Sequence, residues 1–233
     1  MHLTSPPILN TGQNLPPHAW SNRMAWRKEC ETLILGACLL HSNAFPMVMD
    51  ILQPQNFKGA CNEVEITKGR NLTYAEIWNA IGATYLEGAV DLLTVTRTLV
   101  VHFGAQKGFE HGHCAYALSR LTDGVASSEG LSAHAVRMVE WSMREAAIEL
   151  LRNMDEMGIG VEERTALAAQ VANERTNTFV AVRMCIQYLR SYGHEQPAEL
   201  MDDLCGRFIE RIEGMAEQTY RQHIITQYQL LTQ

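Results

Sequence analysis

Apolar residues recur along this chain at helical rather than strand spacing. From Trp26 onward, Leu33, Ala37 and Leu40 fall at i, i+4 and i+7, which puts them on one side of a 3.6-residue helix. Phe45, Val48, Met49 and Leu52 repeat the pattern, with Pro46 tolerable in a first turn and Pro54 closing the segment. Tyr74, Ile77, Trp78, Ile81 and Tyr85 make the clearest stripe, and Gly88 follows where a C-terminal cap is expected. Asp91 precedes Leu92, Val95, Leu99 and Phe103 in the position of an N-cap. A short helix is expected around Tyr116 to Leu121. A long one is expected from Ser132 to Met154, with Ala135, Met138, Val139, Ser142, Ala146 and Leu150 on one face. Past Gly158 and Gly160 the pattern resumes at Leu167 and Val171, then near Val182, Ile186 and Leu189. After a break from Gly193 to Pro197 it returns at Leu200, Leu204, Phe208, Ile212 and Met215.

Proline placement supports the same reading. Of 7 prolines, four fall at Pro6, Pro7, Pro16 and Pro17, and none lies between 55 and 196. Proline is the strongest interrupter of helix, so that long stretch favours it. No segment shows sustained two-residue alternation bounded by hairpin turns, and no repeat of fixed period is present. The exception to tidy helices is 58–71, KGACNEVEITKGRN, whose Gly and Asn residues mark a loop with a short extended piece around Val64 and Ile66. The expected fold is all-α: a compact six-helix head followed by a helical hairpin and C-terminal helices. Residues 1–25 are expected to be a flexible arm, 26–128 the head, 129–180 the hairpin and 181–233 a helical tail.

Composition narrows the function classes. With 46% hydrophobic and 19% charged residues in 233, the chain is globular rather than disordered. Its net charge is −7 and its arginines are scattered singly, whereas sequence-independent DNA binding needs clustered cations. Any association with DNA is therefore expected to be indirect. The cysteines Cys30, Cys38, Cys61, Cys114, Cys185 and Cys205 contain no C-x-x-C pair and mostly sit inside apolar helical patterns. The start, MHLTSPP, lacks a basic region followed by a long apolar run, and no stretch nears 18 apolar residues. These features lead to the expectation of a cytoplasmic, reducing location without membrane insertion.

Taken in order, the segments resemble the N-terminal domain of DnaB-type replicative DNA helicases. Glu31 to Leu40, ETLILGACLL, is similar to that family's opening helix, and Phe45 to Phe57, FPMVMDILQPQNF, to the segment after it. Ile77 to Ile81 followed by Glu87 to Val95, EGAVDLLTV, matches best. Tyr116 to Ser128, YALSRLTDGVASS, takes the place of a tyrosine–leucine segment and small-residue turn. Residues 132–151 and 161–180 resemble the two helices of the family's hairpin, and 197–215 its linker helix. The likeness spans 29–180, and its motifs are mostly core residues whose order and spacing carry it. It implies self-association into a dimer or larger homo-oligomer, and binding to the replicative helicase, primase or helicase loader.

One departure is decisive for chemistry. A phosphate-binding loop ends in Lys followed by Ser or Thr. Here the lysines are followed by Glu29, Gly59, Gly69 and Gly108. The chain is therefore expected not to be an enzyme, with no catalytic residue, cofactor or metal. Two alternatives stand: the N-terminal half of a split helicase whose motor is encoded separately, or a helical regulatory module with only fold-level likeness.

Other chemistry-bearing residues receive plainer readings. His111, His113 and Cys114 lack the second cluster that a tetrahedral zinc site requires, and are read as a polar turn before a short helix. Glu162, Glu163 and Glu174 read as a solvated face with Arg164 and Arg175 available for ion pairs. Ser127, Ser128 and Ser132 have no partnered base and read as turn and cap residues. Trp141, Ile148 and Leu151 lie off the main stripe of their helix, so that helix is apolar on two sides. Such a helix is either sandwiched within the fold or offers one side to a partner. The resemblance favours the second, with Trp141, Ile148, Leu151, Leu167 and Val171 as the candidate surface.

Overall fold

The computed structural model describes residues 17–67, 70–103, 110–125, 127–128, 130–154, 157–173 and 176–213. Residues 1–16 of the expected arm, Glu174, Arg175 and the residues from 214, including Met215, lie outside the described residues, whereas 17–25, also expected to be arm, are helical. The fold is all-α in class. Its nine described α-helices are α1 (Pro17–Leu40), α2 (Ala44–Val48), α3 (Tyr74–Glu87), α4 (Leu92–Thr98), α5 (His111–Thr122), α6 (Leu131–Arg152), α7 (Val161–Ala172), α8 (Thr178–Ser191) and α9 (Glu195–Glu213). A 3₁₀ turn, Pro54–Asn56, follows α2, and a π-type turn, Leu99–Phe103, continues α4.

The segment expected to be a loop is a β-hairpin, β1 (Ala60–Thr67) and β2 (Arg70–Thr73), paired antiparallel from Ala60 opposite Thr73 to Thr67 opposite Arg70. Its register shifts twice, between Cys61 and Glu65 and between Glu65 and Thr67. Those irregularities break strict alternation, which is why the strand signal was faint.

The described residues form two compact units: 25–139 with 211–213, and 17–24 with 140–210. In the first, helix ends follow side-chain chemistry. Thr73 and Glu76 cap α3 reciprocally, Thr73 Oγ1 accepting from Glu76 N at 3.2 Å and Glu76 Oε2 accepting from Thr73 N at 3.0 Å. Asp91 Oδ1 accepts from Leu93 N at 2.8 Å and Thr94 N at 2.9 Å, so Asp91 does cap α4. Phe45 and Phe57 pack against Trp78, Phe57 stacked on its ring at 5.0 Å, and Tyr85 lies against Phe45. Ile34, Leu35, Ile77, Ile81, Leu99, Leu118 and Leu131 complete this core. Helix α1 is buried from Ile34 to Leu39 rather than along the narrower stripe of Leu33, Ala37 and Leu40, and Leu40 is exposed. A β-carbon on Gly36 would clash with the Leu121 carbonyl oxygen, so glycine permits the close approach of α1 to α5.

The division between units falls inside α6, after Val139, rather than at the turn near 128. The start of α6 belongs with the first unit: Arg137 lies over the Trp26 ring at 4.6 Å, and His134 Nδ1 is 3.6 Å from Cys30 Sγ. Beyond it the buried apolar positions of α6 are Met143, Ala147, Ile148 and Leu151, while Ser142, Ala146 and Leu150 are half-buried. In the second unit α7 packs on α8, and Phe179, Val182, Cys185, Ile186 and Leu189 of α8 are buried with Met201, Leu204 and Cys205 of α9. Asn177 caps α8 through its side-chain oxygen, accepting from Phe179 N at 2.9 Å. The second hairpin helix thus ends at Ala172, eight residues before its expected end. Pro197 sits in the first turn of α9, where a missing N–H costs little.

Candidate functional site

The five residues expected to form a contact surface divide sharply. Ile148 keeps 7% exposure, Leu167 1%, and Leu151 and Val171 none. Trp141 alone is half-buried. The correction has a clear cause. Arg144, one turn from Trp141, donates from Nη2 to Thr176 O at 3.0 Å and to Thr178 Oγ1 at 2.8 Å, tying α6 to the start of α8. Helix α8, placed by sequence in the tail, is therefore a third member of the bundle. The two-sided apolarity of α6 and the inner face of α7 are internal packing. Cys185 of α8, its Sγ 3.8 Å from Leu167 O, marks where that face is covered.

Apolar side chains that do meet solvent lie elsewhere. In the first unit Leu86 is 86% exposed, Leu93 68% and Val101 62%, all on α3, α4 and the π-type turn. In the second, Val161, Met184 and Tyr192 are exposed. Sequence reasoning passed over them because each sits beside a stronger apolar stripe and interrupts no pattern. Their only signal is a large apolar residue off the buried face of an amphipathic helix.

Within the first unit a buried polar cluster surrounds Glu31. Its carboxylate accepts from Arg27 Nε at 2.9 Å, Lys58 N at 3.1 Å and Gly59 N at 2.8 Å. Arg27 Nη2 donates to Asn56 O at 2.9 Å, and Arg211 Nη2 donates to Asn56 Oδ1 at 2.7 Å and Ile51 O at 3.0 Å. Burial lowers the Arg211 pKa. The cluster anchors the base of the β-hairpin to α1.

Chemistry-bearing residues fall into structural positions. Cys30 and His134 form a thiol–imidazole pair, the composition of an activated nucleophile. Cys30 is buried, however, and desolvation raises its thiol pKa against the opposing pull of Arg137. The thiol form is favoured, so the pair does not present a thiolate. Burial pushes Cys114 up to about 11, and Cys38, Cys185 and Cys205 up to about 12. His111, His113 and Cys114 occupy the first turn of α5 rather than a turn before it. His113 Nδ1 lies 3.6 Å from Glu110, and among the described residues no three metal-binding side chains converge. Arg164 donates to the Arg152 carbonyl at 2.7 Å, capping α6 rather than pairing with Glu162 or Glu163.

Comparison of the chain with family models, curated proteins and solved structures finds no match. Among the described residues no helix is long and apolar enough to cross a membrane.

Proposed function

We propose that this chain is a non-catalytic docking module of DNA replication, akin to the N-terminal domain of DnaB-type replicative helicases. It works by self-association and by binding helicase, primase or helicase loader. The observation that carries the reading is the ordered series ETLILGACLL, FPMVMDILQPQNF, Ile77 to Ile81 and EGAVDLLTV. In an all-α fold these segments supply α1, the aromatic cluster around Trp78, the α3 stripe and the Asp91 cap. The proposed setting is the cytoplasm, in keeping with six cysteines that are all free.

The test is direct. Purified chain is titrated against the replicative helicase, primase and loader of its own cell by surface plasmon resonance, with sedimentation at several concentrations. Saturable binding to one of them, weakened by Leu93→Glu, supports the proposal. No binding to any of the three, combined with specific binding to duplex DNA, would overturn it. ATP turnover by the purified chain would overturn its non-catalytic part.

A further inference from the structure

The corner between α8 and α9 carries a titratable contact that the docking reading does not use. Gly193, at φ 80°, closes α8 in the left-handed region. Its N–H donates to Arg190 O at 3.1 Å, and the His194 N–H to Leu189 O at 2.9 Å. The His194 carbonyl then accepts from Ala198 N at 3.1 Å, opening α9. One residue thus ends one helix and begins the next, and its side chain reaches a third. His194 Nε2 lies 3.7 Å from Glu163 Oε1 in the first turn of α7, with side-chain exposures of 21% and 25%. That carboxylate oxygen is buried and accepts no hydrogen bond from the described residues. At 3.7 Å a neutral imidazole gives it little, whereas an imidazolium gives it an ion pair.

Besides His194, the Tyr188 hydroxyl of α8 hydrogen-bonds the Glu163 carboxylate, a neutral donor rather than a charge. On α8, Tyr188 and Tyr192 stack at 4.5 Å, and burial followed by the Glu163 charge pushes the Tyr188 phenol up, so Tyr188 stays neutral. Arg190 and Arg183 are engaged by Asp202 of α9 at 3.0 and 3.1 Å. Arg164 of α7 is spent on the Arg152 carbonyl. Glu162 of α7 and Glu195 of α9 are exposed. Among the described residues no Lys or Arg pairs with Glu163.

We propose that this corner is a proton-responsive clasp, in which protonation of His194 fastens the α8–α9 turn to the first turn of α7 through Glu163, and deprotonation releases it. The clasp rests on this geometry alone and stands apart from the replication reading.

Amide hydrogen exchange of residues 161–165 and 189–194, corrected for intrinsic rates, tests this at pH 5.5 and 7.5 in the full chain and in Glu163→Gln and His194→Gln. The wild-type corner is expected to lose about two- to fivefold protection as pH rises, the scale of a partly exposed pair. Each variant is expected to flatten that dependence at the corner alone. A wild-type corner indifferent to pH overturns the clasp, as does a Glu163→Gln corner that responds as fully as wild type. Should Glu163→Gln fail to fold by circular dichroism, His194→Gln is read by the same criterion.

Discussion

At the scale of single residues, Glu31 shows how a polar side chain in an apolar helix acquires a structural task. It lies in a stretch otherwise made of core residues, and its carboxylate is filled by Arg27 and two backbone N–H groups. Removing one partner of a buried ion pair leaves the other charge uncompensated, which costs about 3–5 kcal/mol. Glu31→Ala is therefore expected to lose stability on that scale in urea denaturation, with the amides of Lys58 and Gly59 losing exchange protection first. Thiol reactivity offers a second test at this scale. Burial raises Cys30, Cys38, Cys114, Cys185 and Cys205, whereas Cys61 is half-buried in the hairpin. At pH 7.5 iodoacetamide is expected to modify Cys61 well before the other five, and all six at comparable rates in denaturant. Rapid native labelling of Cys38 or Cys185 would contradict the packing described.

At the scale of elements, caps and packing faces make opposite demands on sequence reading. Asp91 could be assigned as a cap from its neighbours because an N-cap is a local arrangement, satisfied within three residues. Its backbone hydrogen bonds from Thr94 and then Leu93 hold its carboxyl below the usual carboxylate range. A depressed folded pKa stabilises above the unfolded value and is lost as pH falls through the folded one. Asp91→Ala is expected to cost about 1 kcal/mol at pH 7. The gap from wild type, measured by urea denaturation, should narrow below pH 4. Faces are less legible. The apolar second side of α6 admitted a partner or an internal neighbour, and the burial of Ile148 and Leu151 decides for the neighbour. Leu151→Ala is thus expected to behave as a core truncation, costing about 2–5 kcal/mol, and Trp141→Asp to cost less. Equal tolerance of both in thermal denaturation would restore the surface reading.

At the scale of the whole molecule, helical class and the segment order behind the resemblance were legible because 3.6-residue periodicity survives in one dimension. Unit organisation was not. Helix α6 runs without a Pro or Gly from Leu131 to Arg152, and so carries no punctuation at Val139, where one compact unit gives way to the other. The first unit is also completed from far along the chain, by Arg211 reaching Ile51 and Asn56. Truncation after Glu210 is accordingly expected to lower the stability of a reporter within residues 25–139, such as Trp78 fluorescence in urea. An unchanged midpoint would show that the Arg211 contacts contribute nothing.

The amino-acid sequence by itself determined the helix caps at Asp91 and Gly88, the absence of a Lys-Ser or Lys-Thr phosphate loop, and the apolar positions available for burial. Those properties depend on near neighbours, through capping, proline geometry and side-chain period. The tertiary structure decided which apolar faces are covered, that the 58–71 segment pairs with itself as strands, and that Glu31 and Asn56 face the cations that fill them. Each of those outcomes depends on contacts between residues remote in the chain or on a shifted register, and neither leaves a fixed spacing to be read.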